Sequence, residues 1–240
     1  MLRSSRFTDL VRRLRHTEKE RPAVAEVREA HRKAVDSGAW TQPIRTMTFT
    51  ALACGTNEPE PGRGEIRSIG AVKIRDNRIA LGERFYALLC PAESASPSEI
   101  AIARGLTRDG ESRAMTLPEA LERLLAFVGD TVVVGHGAEL HVQSLNAALA
   151  AQGAGALEAA AVDTRLLHQW SRRSRSLPDL APGDVRLEDL AVELALPRYL
   201  ARHAFYDALT TGLAFLKLLG EFEASGAVQF QALYRVAGTY

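Results

Sequence analysis

The sequence predicts one mixed α/β domain preceded by a helical extension. Three observations predict it. The hydrophobic period changes near residue 46 from helical to strand-like. The strand-like segments arrive first as a meander and only then alternate with helices. The length, 240 residues, is long for one small domain and short for two. A hydrophobic fraction of 46% is ordinary for a globular chain and excludes wholesale disorder.

The first 45 residues read as an extension. Phe7, Leu10, Val11 and Leu14 recur at i, i+3, i+4, i+7 with arginines between them, which is an amphipathic helix. Pro22 suits the first turn of a second helix that runs to about Ala34 and stops at Ser37-Gly38. Residues 40–43 link it to the domain.

From Thr46 to Cys54 the chain is rich in threonine and apolar residues, a strand pattern. Asn57 to Gly64 holds two prolines and two glycines and must be a loop. Ile66–Ile74 and Ile79–Leu89 read as two further strands. Arg75-Asp76-Asn77-Arg78 between them suits a tight turn, so they form a hairpin. Helices are expected over 96–104 and 117–127, the second started by Thr116 and Pro118. Thr131–Val134 is a short β-branched run, a buried strand. A helix over 140–151 stops at Gly153–Gly155. Val162-Asp163-Thr164 is a brief strand entering a helix, with Asp163 as its cap. Residues 171–176 read as a basic loop, 187–196 and 204–219 as helices, and 221–240 as a C-terminal tail.

Composition limits the function classes. No apolar run reaches the roughly 18–20 residues of a membrane helix, and the N-terminus lacks the apolar core of a signal peptide. Cys54 and Cys90 are too few for a disulfide framework or a four-ligand zinc site, so both are expected as reduced thiols of a cytoplasmic protein. The net charge of +1 is unevenly placed. Residues 1–45 carry 11 Lys/Arg against 6 Asp/Glu, a net +5, and the remainder carries 19 against 23, a net −4. A basic arm on an acidic domain suits either nucleic-acid contact or docking of the arm on its own domain.

Four segments, in order, resemble the DEDDh 3′–5′ exonucleases, the family of the DNA polymerase III epsilon proofreading subunit. Residues 65–74, Glu-Ile-Arg-Ser-Ile-Gly-Ala-Val-Lys-Ile, are similar to the family's second strand. Arg104-Gly105-Leu106-Thr107 is similar to its His-Gly-Ile-Thr turn. Residues 132–138, Val-Val-Val-Gly-His-Gly-Ala, resemble its Val-Gly-His-Asn-Ala strand end, and Ala204-Phe205-Tyr206-Asp207-Ala208-Leu209 resembles its third motif. Any one is weak; four in order at family-like spacing are specific. The resemblance covers residues 46–220 and implies an RNase H-like mixed sheet flanked by helices.

It also implies a chemistry: two divalent cations, Mg or Mn, held by four carboxylates, with a histidine as base. This sequence departs from that pattern. Counting back from Glu65, the two first-strand carboxylates fall on Ala53 and Gly55, where i, i+2 spacing would place both on one face. The second-motif aspartate falls on His141, and the base falls on Arg202, five residues before Asp207. Asp207 is the one retained carboxylate, and one carboxylate cannot hold two hard cations.

Two substitutes are conceivable. Glu58 and Glu60 share i, i+2 spacing but flank Pro59 in a loop. His141, His203 and Asp207 form a zinc- or manganese-type donor set if the fold gathers them. His136, at a strand end, reads as a structural histidine. Arg202, Arg172, Arg173 and Arg175 are the candidates for phosphate contact. The expectation is an inactive exonuclease-fold module, without a cofactor, that binds single-stranded nucleic acid or a protein partner. The alternatives are a metal-dependent 3′–5′ exonuclease with displaced ligands, and a structural subunit that assembles through the N-terminal extension, on a partner or on a second copy. Nothing in the sequence separates DNA from RNA.

Overall fold

A computed structural model describes residues 41–57, 64–89, 115–157, 159–180, 185–200 and 203–239. The N-terminal helices, Cys90, the 96–104 helix and the 104–107 turn lie outside the described residues, as do Glu58, Glu60 and Arg202.

Among the described residues six strands form one sheet: β1 (Phe49–Thr56), β2 (Ile66–Arg75), β3 (Arg78–Leu88), β4 (Val132–Gly135), β5 (Ala161–Asp163) and β6 (Gly238–Thr239). The helices are α1 (Leu117–Val128), α2 (Ala138–Ala151), α3 (Thr164–Ser174), α4 (Leu187–Glu193), α5 (Ala204–Ala224) and α6 (Phe230–Ala237). The strand order is β3-β2-β1-β4-β5-β6. β1 is central, antiparallel to β2 on one side and parallel to β4 on the other. This is the mixed sheet expected from a meander followed by strand–helix alternation.

Period-2 alternation sorts the side chains onto two faces. Phe49, Ala51, Val72, Ile74, Val134 and Val162 pack with Leu167, Phe215, Leu218 and Phe222 of α3 and α5. Leu52, Ile69, Ala71 and Val133 pack on the other face with Leu121 and Leu124 of α1 and Leu145 of α2. Ala53 and Gly55 share parity with Phe49 and therefore belong to the α5 face. Asp76 and Asn77 both take positive φ, 50° and 55°, the conformation a two-residue hairpin turn demands. Thr116 caps α1, accepting from the Glu119 N–H, with proline in the first turn as expected.

Two expectations are corrected. Residues 221–240 are not a tail. α5 runs on to Ala224, α6 buries Phe230, Leu233 and Ala237, and β6 pairs antiparallel with β5. Ile44 and Pro43 close this corner: Ile44 N–H donates to Val228 O, Pro43 bridges Gln229, and Arg45 reaches Glu223 at 3.0 Å. Residues 171–176 are not a loop either, because α3 continues through Ser174. Its arginines are engaged: Arg172 donates to Pro178 O at 3.1 Å, Arg173 pairs with Asp179 at 2.9 Å, and Arg175 approaches Glu193 at 3.5 Å. A polar run with no apolar period looks like a loop in sequence, yet these contacts tie the end of α3 to residues 178–179 and to α4.

Candidate active site

The C-terminal end of β1, the start of α2 and the start of α5 converge. Gly70 on β2 permits this. A Cβ there would stand 2.3 Å from the backbone of Ala204 and Phe205, so α5 lies against bare backbone. A Cβ at Gly55 would stand 3.9 Å from Ala204 Cβ. Asp207 follows one turn into α5, half-buried, its N–H donating to His203 O at 2.8 Å.

The positions that the sequence assigns to metal ligands are occupied by other chemistry. Ala53 is a buried methyl group. At Gly55 the space of a side chain is taken by Ser68, whose Oγ would be 2.6 Å from a Cβ. His141 turns to β1, and its Nδ1 accepts the Cys54 N–H at 3.3 Å. Burial pushes this imidazole down to about 4, with Asp163 opposing and His136 and Arg165 adding to the fall. Where the resemblance puts an anionic carboxylate, this chain has a ring that accepts from the backbone. Among the described residues at the positions the resemblance assigns, Asp207 alone carries a carboxylate, and these residues do not fit a site that needs four.

Nor are His141, His203 and Asp207 gathered. Among the described residues no group of three or more His, Cys, Asp or Glu is placed to hold a metal ion. His203 is 4% exposed and stacks on Tyr86 at 4.9 Å, while the ring of His141 is turned to the Cys54 amide. This corrects the alternative donor set: β-sheet packing holds one imidazole and backbone hydrogen bonding the other.

The remaining polar groups are structural. His136 lies between Thr164 Oγ1, 2.9 Å from Nδ1, and Val185 O, 2.8 Å from Nε2. With the carbonyl as acceptor, Nε2 carries the proton and Nδ1 faces the Thr164 hydroxyl, whose oxygen is also 3.3 Å from Gly135 O. Burial holds this ring below its ordinary range, with the Val185 hydrogen bond opposing. Asp163, 2% exposed, caps α3 as expected and also accepts from Gly137 and Ala138 N–H at the start of α2, each at 3.1 Å. That second role was not legible, since it joins segments far apart in the chain. Burial pushes the Cys54 thiol up to about 12, so it is no nucleophile.

The two depressed histidines give a pH prediction. Above about pH 7 both are neutral folded or unfolded. As pH falls below the ordinary 6.5, the unfolded chain takes up protons that folded His141 refuses until about 4. Stability is therefore lost between about pH 6.5 and 4. Denaturant midpoints at pH 7 and pH 5 test this, and His141→Asn should shrink the difference; an unchanged difference would count against it.

The sheet and the helix placement define an RNase H-like α/β domain of the nuclease type. Residues 54–215 match the Exonuclease (RNase_T) family, and the chain belongs to that family. It is 28% identical over 162 residues to DNA polymerase III subunit epsilon of Treponema pallidum, covering 68% of this chain and 72% of the relative. It is 24% identical over 201 residues to the PolC-type DNA polymerase III of Thermotoga petrophila, covering 84% of this chain but 14% of that protein. The chain thus spans about one-seventh of the PolC-type relatives. Among solved structures, the nuclease domain of 3′hExo, a DEDDh family member bound to rAMP, superposes with a TM-score of 0.54 at 13% identity, covering 75% of this chain and 95% of that one. E. coli Exonuclease I in complex with a dT13 oligonucleotide gives 0.52 at 15% identity, over 74% and 43%. These likenesses bear on the fold alone. Among the described residues no helix is long and apolar enough to cross a membrane.

Proposed function

We propose that this chain is a non-catalytic exonuclease-fold module that binds single-stranded nucleic acid in the cytoplasm. The reading rests on Ala53, Gly55 and His141 standing where the family resemblance puts metal ligands, within a fold of that family. The departure is built into the packing, with Ser68 in the space at Gly55 and His141 hydrogen-bonded to β1. Three former anionic positions are now neutral. By sequence Arg202 stands where the base would be, and an arginine is always charged near neutral pH and cannot accept a proton. A site that needed cations to approach phosphate now favours the anion itself. The related folds include Exonuclease I in complex with an oligonucleotide, which makes an oligonucleotide the first ligand to test. Arg172, Arg173 and Arg175 are weaker candidates, since phosphate must displace Glu193 or Asp179 from them.

The test is a labelled single-stranded DNA incubated with the protein in Mg²⁺ or Mn²⁺. The expected result is no degradation above a tag-only control, with binding that weakens as salt rises and weakens further in Arg202→Ala. Metal-dependent degradation abolished by Asp207→Ala would overturn the reading and direct attention to Glu58 and Glu60. Absence of binding at low salt would leave the structural-subunit alternative, with the N-terminal stripe Phe7, Leu10, Val11 and Leu14 as its contact.

A further inference from the structure

An aromatic row runs from the sheet to the surface beside the first turn of α5. Tyr86 on β3 is 6% exposed and stacks on buried His203. His203 meets Tyr206, with ring centres 5.1 Å apart. Tyr206 also meets Phe205 edge-on at 5.8 Å, so its ring is held from two sides. Tyr199 then lies parallel to Tyr206, centres 5.4 Å apart and planes within 1°. Tyr86, His203 and Phe205 are buried and Tyr206 is half-buried, whereas Tyr199 is 40% exposed. Arg198, the residue before it, is exposed and has no ion-pair partner among the described residues.

We propose, building on the nucleic-acid reading above, that Tyr199, braced by Tyr206 and flanked by Arg198, is a stacking site for a base of single-stranded nucleic acid. Every base has a π-face, and stacking on an aromatic ring needs neither a metal ion nor a sequence-specific hydrogen bond. It is therefore available to a site whose metal ligands are gone. The ring is already ordered by the row behind it, so binding loses little side-chain freedom there. A cationic group one residue away supplies the attraction for the backbone phosphate that follows the stacked base. Tyr206 stands one residue before Asp207 in the first turn of α5, so the stacked base would lie beside the helix start that carries Asp207.

The experiment uses the full chain and a short oligo-dT carrying one 2-aminopurine, whose fluorescence is quenched on stacking. The expected result is quenching by the wild type. Tyr199→Ala should weaken binding by about 5- to 100-fold, the range for loss of one base–aromatic stack, and remove the quench. Tyr199→Phe should keep both. Arg198→Ala should keep the quench and flatten the salt dependence. Wild-type binding that is unchanged in affinity and quench by Tyr199→Ala overturns this inference and leaves the nucleic-acid reading standing. A wild type that binds no oligonucleotide overturns both.

Discussion

Gly70→Ala is expected to lower the free energy of unfolding by about 3 kcal/mol or more, the upper end for overpacking a well-filled site. The added Cβ would sit 2.3 Å from Ala204 C, Ala204 O and Phe205 N. These are backbone atoms at the head of a 21-residue helix, so relief requires α5 to move as a body or β2 to bend. The cost reaches the site. Ala204 also faces Gly55, and the first turn of α5 carries Tyr206 and Asp207. The variant should therefore lose oligonucleotide affinity along with stability. Gly220→Ala, on the same helix, is the control. Nothing lies within 4 Å of its Cβ position, and alanine in a helix interior is favoured over glycine by about 0.5–1 kcal/mol. Guanidinium midpoints should move in opposite directions for the two variants. A Gly70→Ala midpoint equal to wild type would mean that α5 does not pack on β2 as described.

The fold was legible wherever one local pattern decided it. Alternation over 66–74 and 79–88, with Asp76-Asn77 between, can only fold back as a hairpin. Thr116 and Pro118 announce α1 in the same local way. What escaped depends on pairs distant in the chain. Gly238–Thr239 is too short to read as a strand, and pairs only because Ala161 and Val162 offer an open edge. The helical end of α3 is an arginine-rich run held by Asp179 and Glu193, charges that local periodicity does not register. At the site, the family resemblance assigns the ligand positions, and the strand pattern adds only that Ala53 and Gly55 share a face. The contacts made there could not be read. The Cys54 amide on His141 and the row of Tyr86, His203, Tyr206 and Tyr199 join strand, loop and helix with no common period.

Asp163→Ala is expected to cost about 3–5 kcal/mol, as for removal of one partner from a buried, hydrogen-bonded charge pair. The carboxylate is 2% exposed and accepts three backbone N–H groups: Arg165 at 2.8 Å, and Gly137 and Ala138 at 3.1 Å each. The Arg165 guanidinium adds a contact at 3.1 Å. One side chain thus starts two helices, α2 and α3, where β4 and β5 end side by side. Removing it leaves the three amides without their acceptor and a mostly buried guanidinium without its anion. In a chain of this size that loss should lower Tm by on the order of 10 °C. Asp163→Asn should fall between, because one carbonyl oxygen still accepts while the amide nitrogen cannot. The structural consequence differs from that of Gly70→Ala. α2 carries His141 against β1, so its loosened start should release the Cys54–His141 hydrogen bond and rehydrate the ring, raising the His141 pKa from about 4 against the fall that losing the Asp163 charge alone would bring. Histidine titration by NMR in Asp163→Asn checks this directly. A His141 that still titrates near 4 would show that α2 is held by its packing and not by Asp163.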